Sequence, residues 1–141
     1  MPTSHEIIRS ILAPYGQTVD REISGKIRIY MDLIELWNRK ISLTAVTDPQ
    51  DILRFHFGES IYPLQFLGIE RGRLADVGSG AGFPGLAIKI FRPDLEIVLI
   101  EPNRKKCAFL AEVARSLELS SVEVISRPFK ESEFPLNLSS L

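Results

Sequence analysis

The sequence predicts an α/β fold with a parallel sheet, preceded by a helical extension. Three observations carry that expectation. From Gly72 onward, short apolar runs alternate with helix-patterned runs, the order that builds parallel strands joined by right-handed crossovers. The first apolar run, Leu74-Ala75-Asp76-Val77, opens into the turn Gly78-Ser79-Gly80-Ala81-Gly82 and then into the helical pattern Leu86, Ala87, Ile88, Ile90 and Phe91. Before Gly72 the apolar residues recur at helical spacing instead.

Each element has its own signals. Ser4 is placed to cap a first short helix carrying Ile7, Ile8, Ile11 and Leu12, which ends before Pro14-Tyr15-Gly16. A second, longer helix is expected from about Asp20 to Arg39. Its apolar positions Ile23, Ile27, Tyr30, Leu33, Ile34 and Trp37 fall three and four apart, a core-facing stripe rather than a cofactor box. Asp48 before Pro49 is a helix cap with proline in the first turn. Residues 49–57 and 59–67 read as two short helices broken at Gly58, the second started late or kinked by Pro63. Strands are expected at 73–77, 95–101 and 121–125. The second crossover helix begins at Pro102 or Asn103, with Ala108, Phe109, Leu110, Val113, Ala114 and Leu117 on its apolar face. The expected organisation is a helical region, 1–70, packed on the sheet, followed by a cofactor-binding portion, 71–141, that holds three strands.

Composition narrows the class. Hydrophobic residues are 45% and charged residues 25%, near the globular average. A net charge of −1 gives no overall nucleic-acid signal, so RNA binding would need a local basic patch. Arg71, Arg73, Arg104, Lys105 and Lys106 can supply part of one, although the plain reading is solvated surface. A single cysteine, Cys107, excludes an intramolecular disulfide, fits a reducing compartment and reads as a packing residue. No run approaches the roughly 18 apolar residues of a membrane span, and the N-terminus shows no secretory signal. A cytoplasmic location away from membranes is the expectation.

The glycine turn carries the chemistry. Glycines 78, 80 and 82 let the backbone take positive φ and approach a ligand closely, and the helix start behind them directs free N–H groups at the same spot. The dinucleotide pattern G-x-G-x-x-G would need a small residue at 83, which is phenylalanine; the spacing is G-x-G-x-G. Glu101 closes the second apolar run, Leu95 to Ile100. An acid about 20 residues past such a loop can accept hydrogen bonds from ribose hydroxyls. Loop and acid together point to an adenosine-type ligand, and the missing third glycine favours S-adenosylmethionine over a nicotinamide. Asp76, just before the loop, can hold loop amides or approach the methionine end of that cofactor. The bland alternative is an ordinary strand–turn–helix whose glycines serve the turn alone.

Asp76-Val77-Gly78-Ser79-Gly80-Ala81-Gly82-Phe83-Pro84-Gly85 resembles the signature loop of the bacterial 16S rRNA guanine-N7 methyltransferases, also called the glucose-inhibited division protein B family. Leu36-Trp37-Asn38 followed by Ile41-Ser42-Leu43-Thr44 resembles the family's WN…NLT segment. His56-Phe57-Gly58-Glu59-Ser60 resembles its H-x-x-D-S, with Glu for Asp. Glu101-Pro102-Asn103-Arg104-Lys105-Lys106 followed by Phe109-Leu110 is similar to its segment after the second strand. The resemblance spans roughly residues 5 to 127. It implies a Rossmann-like class I methyltransferase fold, S-adenosylmethionine as cofactor, and 16S rRNA or the small ribosomal subunit as partner. It implies cofactor contact by Asp76, Gly78, Ser79, Gly80, Gly82, Phe83, Glu101 and Arg127. It offers His56, Asn38 and Thr44 a substrate-side role, where a structural histidine and local caps are the plain reading. Guanine N7 exposes its own lone pair, so no catalytic dyad is expected, and the work is positioning.

The chain departs from the family pattern near its end. The family's R-A-E is Arg127-Pro128-Phe129 here, matching at one position of three. Residues 127–141 hold two prolines and little periodicity, and three strand candidates make an incomplete sheet for this fold. The chain therefore reads as the N-terminal two-thirds of such an enzyme, a truncated or degenerate copy expected not to turn over substrate alone. Two further readings stay open. One is a non-catalytic remnant. The other is a nicotinamide-dependent oxidoreductase, opposed by Phe83 and by the helical N-terminal region. The exposed sheet edge leaves the oligomeric state open.

Overall fold

The computed structural model describes residues 3–130 and 132. Local capping chemistry sets the helix starts. The Ser4 hydroxyl accepts from the Ile7 N–H at 3.2 Å and begins α1, His5–Leu12, which buries Ile8 and Leu12. A 3₁₀ turn, Ala13–Tyr15, follows. The Asp20 carboxylate accepts from the Ile23 N–H at 2.8 Å and begins α2, Arg21–Asn38, whose inner face buries Ile27, Tyr30, Met31 and Ile34.

The expected break at Gly58 is absent. Pro49–Asp51 (α3), a π-helical stretch Ile52–Gly58, Glu59–Ile61 (α4) and a 3₁₀ turn Tyr62–Gln65 follow one another in a single helical run. Gly58 itself stays helical, with φ −57° and ψ −52°. A Cβ there would lie 2.6 Å from the Tyr15 ring, so glycine answers to packing at this position and not to chain reversal. Pro63 kinks nothing; it sits in the first turn of the 3₁₀ segment, where its missing N–H is not needed.

The strands β1 (Gly72–Val77), β2 (Leu95–Ile100) and β3 (Val122–Ile125) lie in the order β1-β2-β3, both pairs parallel. Central β2 is an almost unbroken apolar run because both of its faces are covered. Register pairs Val77 with Ile100 and Ile100 with Ile125, so all three strands finish along one edge. The crossovers are α5 (Gly85–Phe91), packed on β1 and β2, and α6 (Arg104–Ser116), packed on β3. The buried Lys89 Nζ donates to the carbonyls of Pro93 and Leu95 at 2.6 and 2.5 Å, tying α5 to the start of β2.

The helical region sits on the crossover helices. α2 packs on α5 and α6, and α4 packs on α5. One hydrophobic core runs from Ile8 and Leu12 through Ile27, Tyr30 and Ile34 to Leu86, Phe109 and Leu110. Among the described residues the sheet has three strands and is not closed, and no helix is long and apolar enough to cross a membrane. Glu131 and residues 133–141, most of the proline-containing end, lie outside the described residues.

Candidate functional site

The glycine turn emerges at the carboxyl ends of β1 and β2, the edge where open parallel sheets place their ligands. Gly78, Gly80 and Gly82 have φ of +72°, +52° and +97°. The Gly78 N–H donates to the Ile100 carbonyl at 2.7 Å, the Ser79 hydroxyl to the Asp76 carbonyl at 2.9 Å, and the Gly82 N–H to the Ser79 carbonyl at 2.7 Å. The turn is thus held to β2 by its own backbone and to β1 by the Ser79 side chain.

Acid and loop meet. Glu101 is buried just past β2, and its Oε1 accepts from the Gly80 N–H at 2.9 Å. Oε2 accepts from the Asn103 N–H at 2.8 Å, and Asn103 in turn caps α6 through the Lys106 N–H at 3.0 Å. One carboxylate therefore orients the glycine turn and the start of α6. The buried Asp76 Oδ2 accepts from the N–H of Gly85, the first residue of α5, at 2.9 Å. Burial pushes the Asp76 carboxyl above its ordinary range, the Gly85 amide pulls it back, and the Glu101 charge adds to the rise.

The three glycines are not equivalent. A Cβ at Gly78 would meet nothing within 4 Å, and one at Gly80 only the Gly78 carbonyl at 4.0 Å. A Cβ at Gly82 would collide with the Tyr30 hydroxyl. The turn is open over Gly78 and Gly80 and closed beneath Gly82. Tyr30 is the site neighbour that sequence reasoning missed. Its place in a helical stripe marks it as core, and nothing local shows that its hydroxyl reaches the Ala81 carbonyl, 2.6 Å away and 51 residues on.

Phe83, which breaks the dinucleotide pattern, lies between two rings. It stacks on Tyr30 with centroids 5.1 Å apart at 9°, and on His56 at 4.8 Å and 12°. Phe57 meets its edge at 4.9 Å. His56 Nε2 lies 2.8 Å from the Thr44 hydroxyl. Thr44 is held by Asn38, whose Oδ1 accepts from the Leu43 and Thr44 N–H groups at 2.8 and 3.2 Å. Burial lowers the His56 pKa against the opposing pull of Glu59, which favours the neutral imidazole. Asn38, Leu43 and Thr44 therefore hold a local turn, and that turn aims a histidine at the glycine loop.

Arg127 lies just beyond β3 on the same sheet edge, its guanidinium donating to the Pro128 carbonyl at 3.3 Å. Arg104 and Lys105 are exposed at the start of α6, beside Glu101. Arg73 pairs with Glu96 at 3.1 Å. Cys107 is buried, with its thiol on the Glu101 carbonyl at 3.1 Å.

A family model described as rRNA small subunit methyltransferase G matches residues 23–137, most of the chain. The chain belongs to this family. The match takes in nearly all of α2, the Asn38–Thr44–His56 turn, the glycine loop and Glu101. A relative from Clostridium kluyveri, named ribosomal RNA small subunit methyltransferase G, is 37% identical over 121 residues, covering 85% of this chain and 51% of its own length. A Nitrosospira multiformis relative of the same name is 40% identical over 114 residues, covering 81% and 52%. A third, from Mycoplasma mycoides subsp. mycoides, is 36% identical over 114 residues, covering 81% and 83%. The chain thus spans about half the length of most of the methyltransferase G relatives it matches.

Proposed function

We propose that this chain holds the cofactor site of an S-adenosylmethionine-dependent methyltransferase that acts on guanine N7 of 16S rRNA in the small ribosomal subunit. The observation that carries the reading is the Glu101–Gly80 contact at the carboxyl edge of the parallel sheet, in a chain whose relatives are named for small-subunit rRNA methylation. The open faces of Gly78 and Gly80 fit a ligand resting on bare backbone.

Asp76, Gly78, Ser79, Gly80, Gly82, Phe83, Glu101 and Arg127 are the residues proposed to hold that cofactor. When bound, S-adenosylmethionine supplies an electrophilic methyl group on a sulfonium. Glu101 spends one acceptor site on Gly80 and one on Asn103, which leaves carboxylate lone pairs for ribose hydroxyls. Asp76 holds the first amide of α5 and so fixes where the helix N-terminus stands behind the loop. Burial favours the uncharged form of His56, which stacks on Phe83 at the end of the loop. The attacking nitrogen brings its own lone pair, so the protein has only to position the reactants. Arg104 and Lys105 offer exposed positive charge for RNA phosphates, and a cytoplasmic location follows from such a substrate.

Calorimetric titration with S-adenosylhomocysteine, and NADH as control, tests the reading. Binding of the first alone is expected. Binding of NADH would restore the oxidoreductase reading, and binding of neither would leave the glycines serving the turn alone. Labelled methyl transfer to unmodified small-subunit rRNA adds the second test; transfer to any position other than guanine N7 would overturn the acceptor assignment.

A further inference from the structure

We propose that Tyr30, on α2 and outside the α/β portion, is the positioning residue that holds the glycine loop in its ligand-ready form and so sets its affinity for cofactor. The inference rests on the cofactor reading above and extends it to a residue in the helical region.

One side chain meets three consecutive loop residues in three different ways. The Tyr30 hydroxyl donates to the Ala81 carbonyl at 2.6 Å. The same oxygen fills the space that a Cβ at Gly82 would need. The ring stacks on Phe83 at 5.1 Å and 9°. Holding the Ala81 carbonyl fixes the peptide plane joining residues 81 and 82, whose N–H end donates to the Ser79 carbonyl at 2.7 Å. That anchors the closed half of the turn and leaves Gly78 and Gly80 as its open half.

The hydroxyl is the informative atom. Tyr30 is fully buried, and Phe57 and Phe109 pack around its ring. Phenylalanine would supply the same ring contacts. A buried hydroxyl is expensive unless it is bonded, and its partner here is a backbone carbonyl of the loop and not another core group. Burial also drives the phenol pKa well upward, so the proton stays on the oxygen and the donor is permanent. Three glycines within five residues give a free loop many conformations, and ordering them on binding would weaken affinity. A core-anchored tyrosine orders the loop in advance. His56 supports the far face of Phe83 at 4.8 Å, but it contacts the loop by stacking alone and sits in the more solvated half of the column.

The test compares the full chain with Tyr30→Phe, and with Asp20→Ala as a control that weakens the same helix at its cap, far from the loop. Two readouts are taken: S-adenosylhomocysteine affinity by calorimetry, and amide exchange at Gly80 and Gly82 relative to β2. Tyr30→Phe is expected to weaken binding about tenfold, as the loss of one buried hydrogen bond implies. It is also expected to speed exchange at Gly80 and Gly82 by more than it speeds β2. Asp20→Ala is expected to leave affinity unchanged and to raise exchange without singling out the loop. Unchanged affinity in Tyr30→Phe overturns the proposal. If the unaltered chain binds no S-adenosylhomocysteine, the cofactor reading fails, and the exchange comparison then decides the positioning of the loop by itself, equal exchange in loop and sheet overturning it.

Discussion

A methyl group added at Gly82 would collide with the Tyr30 hydroxyl and lie 2.9 Å from the Leu86 side chain, whereas one added at Gly78 would enter open space. Both residues have positive φ, so alanine is strained at either, by about 1–2 kcal/mol. Overpacking adds about 1–3 kcal/mol at Gly82 alone. Gly82→Ala is therefore expected to lower the thermal midpoint clearly more than Gly78→Ala, and equal losses would show that Tyr30 yields freely. Glycine spacing points to a close-approach turn, and the acid at the next strand end reads as an acceptor for ribose hydroxyls; that Glu101 also bonds the Gly80 amide shows only in the fold. The division of labour among the glycines was not legible. It depends on a tyrosine 52 positions before Gly82, contributed by another helix. The stacking of His56 on Phe83 was hidden for the same reason: the two rings meet only when the helical run lies over the loop.

At the level of elements, the helix starts were legible because caps act over three or four residues. Ser4 and Asp48, read as caps, each bond an amide within that range, and Asp20, read as the start of its helix, caps it in the same way. The glycine at 58 was misread because its reason is tertiary. In isolation, alanine there would favour the helix by about 1 kcal/mol. In the fold, its Cβ would press on the Tyr15 ring at 2.6 Å. Tyr15 also packs edge-on against Tyr62 at 6.4 Å, which limits its retreat. Gly58→Ala is expected to cost about 1 kcal/mol net in chemical denaturation, reversing the propensity gain. A stabilised variant would mean that the ring moves aside. Among the described residues, the strands were legible in number and in position along the chain, since β1, β2 and β3 carry compact apolar runs between helical patterns.

The molecule as a whole is built on one shared core, with α2 lying on α5 and α6. Trp37, the single tryptophan, sits on α2 with its ring centroid 5.7 Å from that of Phe109 on α6. Its fluorescence thus reports the docking of the helical region, while far-UV circular dichroism reports the whole backbone. The two unfolding transitions are expected to coincide, because separating α2 from α6 would expose Ile27, Tyr30, Ile34, Phe109 and Leu110 together. Fluorescence changing first would show two independent units. Local residues were enough to read the order of elements, the caps at Ser4 and Asp48 and the presence of a glycine turn with an acid at the next strand end, since each is written in neighbouring residues or in a fixed strand–loop–helix spacing. Long-range packing is what makes Gly58 continue a helix, Glu101 bond the Gly80 amide, Gly82 answer to Tyr30, and Asn38, Thr44 and His56 come to Phe83. Those outcomes depend on shape complementarity between segments far apart in the chain, and no local pattern records that complementarity.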